Sequence, residues 1–347
     1  MGARTAMLIA VVALVGAGCS GGDLTVERMP WSQADFYCNQ SQPVHPTEPK
    51  PFCKSKQPLL FDQANAIFPV PILFDESGGA GSGYDRLYID FDKDGDFLDD
   101  PAYRATRPDG APQKVLGQDV AAYFENVHIV RNFRNKRFAH VQVALTFARL
   151  ADGSDTWRCT MIPQSWAVGK IKLAGKSIPV ALIDRNWNDR VTDAAGLKLS
   201  EHPRRYPRGD YLLLDIDGEQ GILPPDSADG TGGSAKGILT EYLVLDSGTY
   251  RVQVEQSDAG ATLTLTPAEP ATGKLKLPDS LVGARVLLIG TRTCVLLANG
   301  ESEVTLPADT YYAPRVGQST CKVEAGKSAK WVAPESTRSV PPDDGRF

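Results

Sequence analysis

Between about residues 65 and 268 the chain alternates short β-branched or aromatic runs with Gly, Asp, Asn and Pro. The runs include "VPILF", "RLYID", "FAHVQVALTFARL", "KIKLAGKSIPVALID", "YLLLDID", "TYRVQVEQ" and "ATLTLTP". Several place polar and apolar residues in strict alternation, the period of half-buried antiparallel strands. Only "GQDVAAYFENV" (117–127) suggests a short helix. The pattern predicts a mainly β fold: an antiparallel sandwich or barrel-like main domain over 65–268. "TPAEPATGK" (266–274) then breaks the alternation and predicts a boundary. A small β-domain is expected over 269–334 and a disordered tail over 335–347. Residues 20–64 are poor in apolar runs and predict an irregular tether segment.

Six aspartates fall within the eleven residues Asp90–Asp100, inside "LYIDFDKDGDFLDD". With Asp90 at position 1, Asp92 and Asp94 occupy 3 and 5, Gly95 occupies 6, Asp96 offers a carbonyl at 7, and Phe97 stands at 8. A calcium loop needs oxygen ligands at alternate positions, Gly at 6 for the turn, and an apolar eighth residue to anchor it. Position 12, normally a bidentate Glu, is Pro101, so Asp99 or Asp100 must close the shell. The entering "RLYI" reads as a strand, which predicts a strand-fed EF-hand-like loop rather than a helix-loop-helix. Asp, Asn and Gly are also good turn formers, so plain acidic turns are the competing reading.

The same spacing recurs twice. Asp184, Asn186 and Asn188 stand at 1, 3 and 5, with Val191 at 8 and Asp193 at 10. Asp215, Asp217 and Glu219 stand at 1, 3 and 5, with Ile222 at 8 and Asp226 at 12. The flanks align as well, from Pro71 and from Pro179, suggesting a duplication in which Asp75 matches Asp184, Asp85 matches Asp210 and Asp90 matches Asp215. Asp85 and Asp210 are then expected to add to the sites from the far end of their strands. The tripeptide Arg208-Gly209-Asp210 is read through that repeat and not as an integrin motif. Calcium, in a structural role, is the expected cofactor.

The first 19 residues combine Arg4, an apolar stretch from Ala6 to Val15, and small residues running into Cys19. This is a secretory signal, too short to span a bilayer comfortably. It resembles a bacterial lipoprotein signal, which implies a lipidated Cys19, a membrane partner through that anchor, and an extracytoplasmic place in the outer cell envelope. Gly16 stands where such signals usually carry leucine, which leaves ordinary cleavage near Gly18 as the other reading. Export favours paired cysteines. Nearest-neighbour pairing suggests Cys38 with Cys53 and Cys294 with Cys321, leaving Cys159 as a buried thiol.

The net charge of −5 argues against a nucleic-acid partner. The four histidines show no metal-ligand spacing, and no nucleophile elbow, P-loop or dinucleotide motif is present. The succession "VALIDRNWNDR", "GDYLLLDIDG" and "GTYRVQVEQSDAGATLTLTP" is similar to uncharacterised exported bacterial proteins with repeated D-x-[DN]-x-[DN]-G strand-loop elements. The resemblance covers roughly 65–268 and implies extracytoplasmic β-domains with divalent-cation loops, and no known activity. Trp187 and Asp189 depart from its glycine pattern. The leading expectation is a lipid-anchored, calcium-stabilised β protein that binds or supports an envelope protein or polysaccharide. A hydrolase with paired carboxylates is the alternative, since such pairs are set in space and not in sequence.

Overall fold

A computed structural model of the chain describes residues 20–29, 40–61, 70–107, 111, 113–115, 117–128, 140–150, 153–184, 190–194, 209–215, 235–257, 260–284, 286–297, 299–312 and 320–331. The signal segment and the 335–347 tail lie outside the described residues. Those described form twenty-five strands and one short 3₁₀ turn, with no α-helix among them. The first half holds β1 (Ser20–Arg28), β2 (Gln40–Pro43), β3 (His45–Pro46), β4 (Leu59–Phe61), β5 (Ile72–Asp75), β6 (Arg86–Ile89), β7 (Ala102–Arg104), β8 (Lys114–Val115), β9 (Gln118–His128), β10 (His140–Arg149), β11 (Asp155–Pro163) and β12 (Ser165–Leu173). The second holds β13 (Lys176–Ile183), β14 (Tyr211–Leu214), β15 (Ala235–Ile238), β16 (Tyr242–Leu245), β17 (Gly248–Ser257), β18 (Gly260–Pro267), β19 (Thr272–Lys276), β20 (Val286–Ile289), β21 (Thr293–Leu297), β22 (Glu303–Pro307), β23 (Asp309–Tyr312), β24 (Thr320–Val323) and β25 (Ser328–Lys330).

The mainly β expectation is met, with large curled antiparallel sheets. Two five-stranded sheets, β3-β4-β5-β6-β7 and β2-β11-β10-β9-β8, share one core. Ile72, Phe74, Leu87 and Ile89 meet Phe124, Val141, Val143 and Leu145 across it, all fully buried. Cys159 is buried in that core, as expected.

The helix expected over 117–127 is instead part of β9. Register shifts against β10 break the two-residue period of this strand. Ala122, Phe124 and Val127 consequently face one core, while Val120 and Tyr123 face a second cluster with Ile162. Apolar residues needed on both faces of a bulged strand imitate helical spacing. Asn126, with φ 56°, sits at one bulge, where Gln164 accepts its N–H at 2.9 Å and donates to its side-chain oxygen at 2.7 Å.

The largest sheet has twelve strands, in the order β15-β14-β13-β12-β1-β18-β17-β16-β21-β20-β23-β24. β18 shows why its sequence makes a strand: Ala261, Leu263 and Leu265 face the core while Thr262, Thr264 and Thr266 face outward. The sheet curls until β15 packs back against β21, close enough that a β-carbon on Gly237 would lie 2.9 Å from Cys294 Sγ. Leu24, Val180, Leu182, Leu212, Leu214, Leu243 and Leu263 share the core this curl encloses.

Three sequence expectations are corrected here. Ser20–Arg28 is a strand, not tether, lying between β12 and β18 and paired to both. Its glycines permit close backbone approach: a β-carbon on Gly22 would lie 2.1 Å from the Lys170 carbonyl oxygen. Next, no sheet boundary falls at 268/269, because β16 pairs in parallel with β21. Val244 also joins a core with Leu275, Leu288 and Val295.

Finally, Cys294 and Cys321 are free thiols. They lie on β21 and β24, with β20 and β23 between, so three strand spacings of roughly 4.8 Å put them about 14 Å apart. A disulfide needs Cα atoms within about 7 Å. Burial pushes the Cys294 thiol up to about 12. Cys53 is likewise a free, half-buried thiol, and its suggested partner Cys38 lies outside the described residues.

Candidate metal centre

Two three-stranded meanders carry the acidic loops, and they share one hydrogen-bonding register. Ile72 pairs with Ile89 and Asp75 with Arg86 in β5-β6, as Val180 pairs with Leu214 and Ile183 with Tyr211 in β13-β14. Each second strand then pairs with a third, β7 or β15. Asp90 N–H donates to the Pro71 carbonyl, and Asp215 N–H to the Pro179 carbonyl. Likewise Ala105 N–H donates to the Asp85 carbonyl, and Leu239 N–H to that of Asp210. The Asp85–Asp210 and Asp90–Asp215 correspondences therefore agree with the backbone. The Asp75–Asp184 match is shifted by one, since the pairing sets Glu76 at the place of Asp184.

Every buried charged residue among those described lies in these meanders, and all are acids: Asp75, Glu76, Asp90, Asp184, Asp210 and Asp215. Buried carboxylates need hydrogen-bond donors or cations. Asp75 accepts the N–H groups of Lys54 and Ser55 at 2.8–3.2 Å, and Glu76 accepts those of Gly81 and Gly83 at 2.9 and 3.1 Å. Both act as loop clips; the sequence had marked Asp75 only as the counterpart of Asp184 and had not singled out Glu76.

Asp90 begins its loop where β6 ends. Its Oδ1 accepts Lys93 N–H at 2.6 Å and its Oδ2 accepts Gly95 N–H at 3.0 Å. Asp94 accepts Asp96 N–H at 2.7 Å and Asp96 accepts Leu98 N–H at 2.9 Å, so the aspartates step along the loop in pairs. Asp100 returns to the start and accepts Phe91 N–H at 2.6 Å. Gly95, with φ 84°, takes the left-handed turn its position demands. Phe97 is buried at 3% exposure, while Leu98 beside it is 61% exposed. Lys50, distant in sequence, donates its ammonium to the Gly95 carbonyl at 3.3 Å. After Pro101 the chain enters β7, so the loop is strand-fed at both ends.

One carboxylate oxygen from each of Asp90, Asp92 and Asp100 lies within 4.8 Å of the others, and the same holds for Asp92, Asp94 and Asp99. Calcium binds oxygens at about 2.3–2.6 Å, so two ligands of one ion sit no more than roughly 5 Å apart. The donor set thus fits a hard divalent cation. Five of the six aspartates come together around Asp92, and only the Asp96 carboxylate stands outside both groups.

Desolvation, and then the charges of Asp92, Asp94, Asp100 and Asp96, hold the Asp99 carboxyl above the usual range. A raised carboxylate favours its protonated form in the folded state, so the loop without metal is relieved as pH falls through that raised value. A metal requires the ionised form. Calcium affinity is therefore expected to drop as pH falls from neutral toward and through the raised Asp99 value, which calcium titration at stepped pH measures.

The other predicted loops are partly in view. Val191, at the eighth position of its loop, is fully buried, as Phe97 is in the first. The Asp210 carboxylate accepts Asp193 N–H at 2.8 Å, and the Asp193 backbone carbonyl accepts Asp210 N–H at 3.0 Å. Asn186, Asn188, Asp217, Glu219 and Asp226 lie outside the described residues.

The expected help from Asp85 is not given. It sits five residues before Asp90 along β6, about 16 Å away at 3.3 Å per residue, and its carboxylate accepts the Ser77 N–H at 2.6 Å together with the Ser77 hydroxyl. Against the cost of partial burial, those donations hold its carboxyl below the usual range. The buried Asp210 is likewise no surface integrin ligand.

Anchoring gives a paired expectation. Phe97→Leu should cost about 1 kcal/mol, as a roughly volume-conserving core change, and Leu98→Ser should stay within about 0.5 kcal/mol. Urea unfolding of the two variants checks it. No protein-family model, curated protein or solved structure matches the chain.

Proposed function

We propose that the chain is a lipid-anchored, extracytoplasmic calcium-binding β protein that serves as a structural or binding module of the bacterial cell envelope. The observation that carries this reading is the Asp90 loop, which gathers five carboxylates between β6 and β7. Asp90, Asp92 and Asp100, and around the shared Asp92 also Asp94 and Asp99, would hold the ion. A bound calcium supplies positive charge that offsets the repulsion of these groups and ties the two strands together. Lys93 and Gly95 N–H groups hold Asp90 in place for that role.

In this reading the two five-stranded sheets act as a sandwich and the curled twelve-stranded sheet as a barrel-like partner. Cys19 carries the lipid, and an envelope protein or polysaccharide is the ligand. Calcium outside the cell reaches the millimolar levels at which extracellular sites fill. Isothermal titration of calcium into the chelator-treated full chain tests the metal reading. Saturable heat that Asp92→Ala abolishes supports it, and no heat from the unaltered chain overturns it.

A further inference from the structure

We propose that the end of the twelve-stranded sheet where β1 begins lies directly against the membrane, with Lys170, Lys172 and Lys176 facing anionic lipid headgroups. This rests on the lipidation of Cys19 and adds to it an orientation and a second point of contact. Cys19 immediately precedes Ser20, and Ser20 is already a sheet residue, paired with Leu265. No flexible spacer separates an anchor at Cys19 from the sheet. Whatever lies at that end of the sheet is held at the headgroups.

Among the described residues, three exposed lysines stand beside the start of β1, while Asp215, whose N–H donates to the Pro179 carbonyl, ends its strand on the same side of β1. Leu24 pairs with Gly169, and β12 continues four residues further to Leu173, so the β12–β13 hairpin lies beside Ser20. Its tight turn uses Ala174 and Gly175, both at positive φ (49° and 81°). Lys170, Lys172 and Lys176 are exposed on this hairpin, while Ile171, Leu173 and Ile178 point into the core. On the opposite side of β1, toward β18 and β17, the exposed charges among the described residues include Arg251, Asp246, Glu255 and Glu269. Asp23 on β1 accepts the Thr262 hydroxyl at 2.8 Å. The lysine hairpin is the element beside the anchor, and anionic headgroups attract lysine, so its three ammonium groups are drawn onto the membrane. The five-stranded sheets lie past the other end of β1, where Arg28 pairs with Glu125 of β9.

The test compares amine acetylation of the full chain, reconstituted in vesicles of phosphatidylcholine with phosphatidylglycerol, with the same chain in detergent. Mass spectrometry reads each lysine, and the Cys19 peptide in the same digest reports acylation. The expected result is an acylated Cys19 and a several-fold slower reaction at Lys170, Lys172 and Lys176 in vesicles, with Lys114 on β8 unchanged. An acylated Cys19 with no protection of these lysines overturns the orientation and leaves the anchor standing. An unmodified Cys19 ends the anchor reading, and cosedimentation with the same vesicles then decides the lysine face. Binding that K170Q/K172Q/K176Q abolishes upholds it, and no binding, or binding that this variant keeps, overturns it.

Discussion

Replacing Gly260 by alanine is expected to lower stability by about 3 kcal/mol, at the upper end of overpacking costs, and replacement by valine by more than about 4 kcal/mol. A β-carbon at this position would lie 1.9 Å from the Leu24 carbonyl oxygen on β1. That obstacle is backbone, and no side-chain rotation relieves it, so β1 must move away from β18. Gly169, on the other side of β1, has the same character, since its β-carbon would meet the Asp23 carbonyl oxygen at 2.6 Å. Gly81 is the control: φ is 86° but nothing lies within 4 Å, so Gly81→Ala should cost only about 1 kcal/mol. Urea unfolding of the three variants measures the order. Wild-type stability of Gly260→Ala would mean that β1 does not occupy the centre of the sheet.

The second large effect is the response to calcium. Binding to the folded state alone adds about 2.7 kcal/mol at a hundredfold excess over Kd. At roughly 2–4 °C per kcal/mol this raises the melting temperature by several degrees. The gain should be distributed unequally. Asp92 belongs to both carboxylate groups, so Asp92→Asn should remove most of it. Asp96 belongs to neither, and its carboxylate accepts only Leu98 N–H at 2.9 Å among the contacts described, so Asp96→Asn should leave most of the response. Equal loss from both variants would argue for diffuse attraction by an acidic loop over a defined site.

Much of this was legible in the sequence, and the misses have physical causes. Alternation in "ATLTLTP" announced β18 because one of its faces is covered and the other wet. The loop's anchor was legible in the spacing: Phe97 and Val191, the apolar eighth residues of two acidic runs, are both buried. β9 was misread because both faces of a bulged strand are buried. "SGGD" was misread because glycine suits a flexible tether and a crowded strand equally. Only the neighbouring Lys170 carbonyl, far along the chain, decides between them. The Cys294–Cys321 pairing failed because closeness in sequence says nothing about the two strands that lie between them. The Lys50 contact to Gly95, 45 residues away, had no sequence signal at all.

Thermal melting of the full chain, stripped with EDTA and then supplied with calcium, beside Asp92→Ala/Asp94→Ala treated identically, tests the central claim most directly. The account predicts that calcium raises the melting temperature of the unaltered chain by several degrees and leaves that of the double variant unmoved. An equal calcium response in both proteins, or none in either, would contradict it.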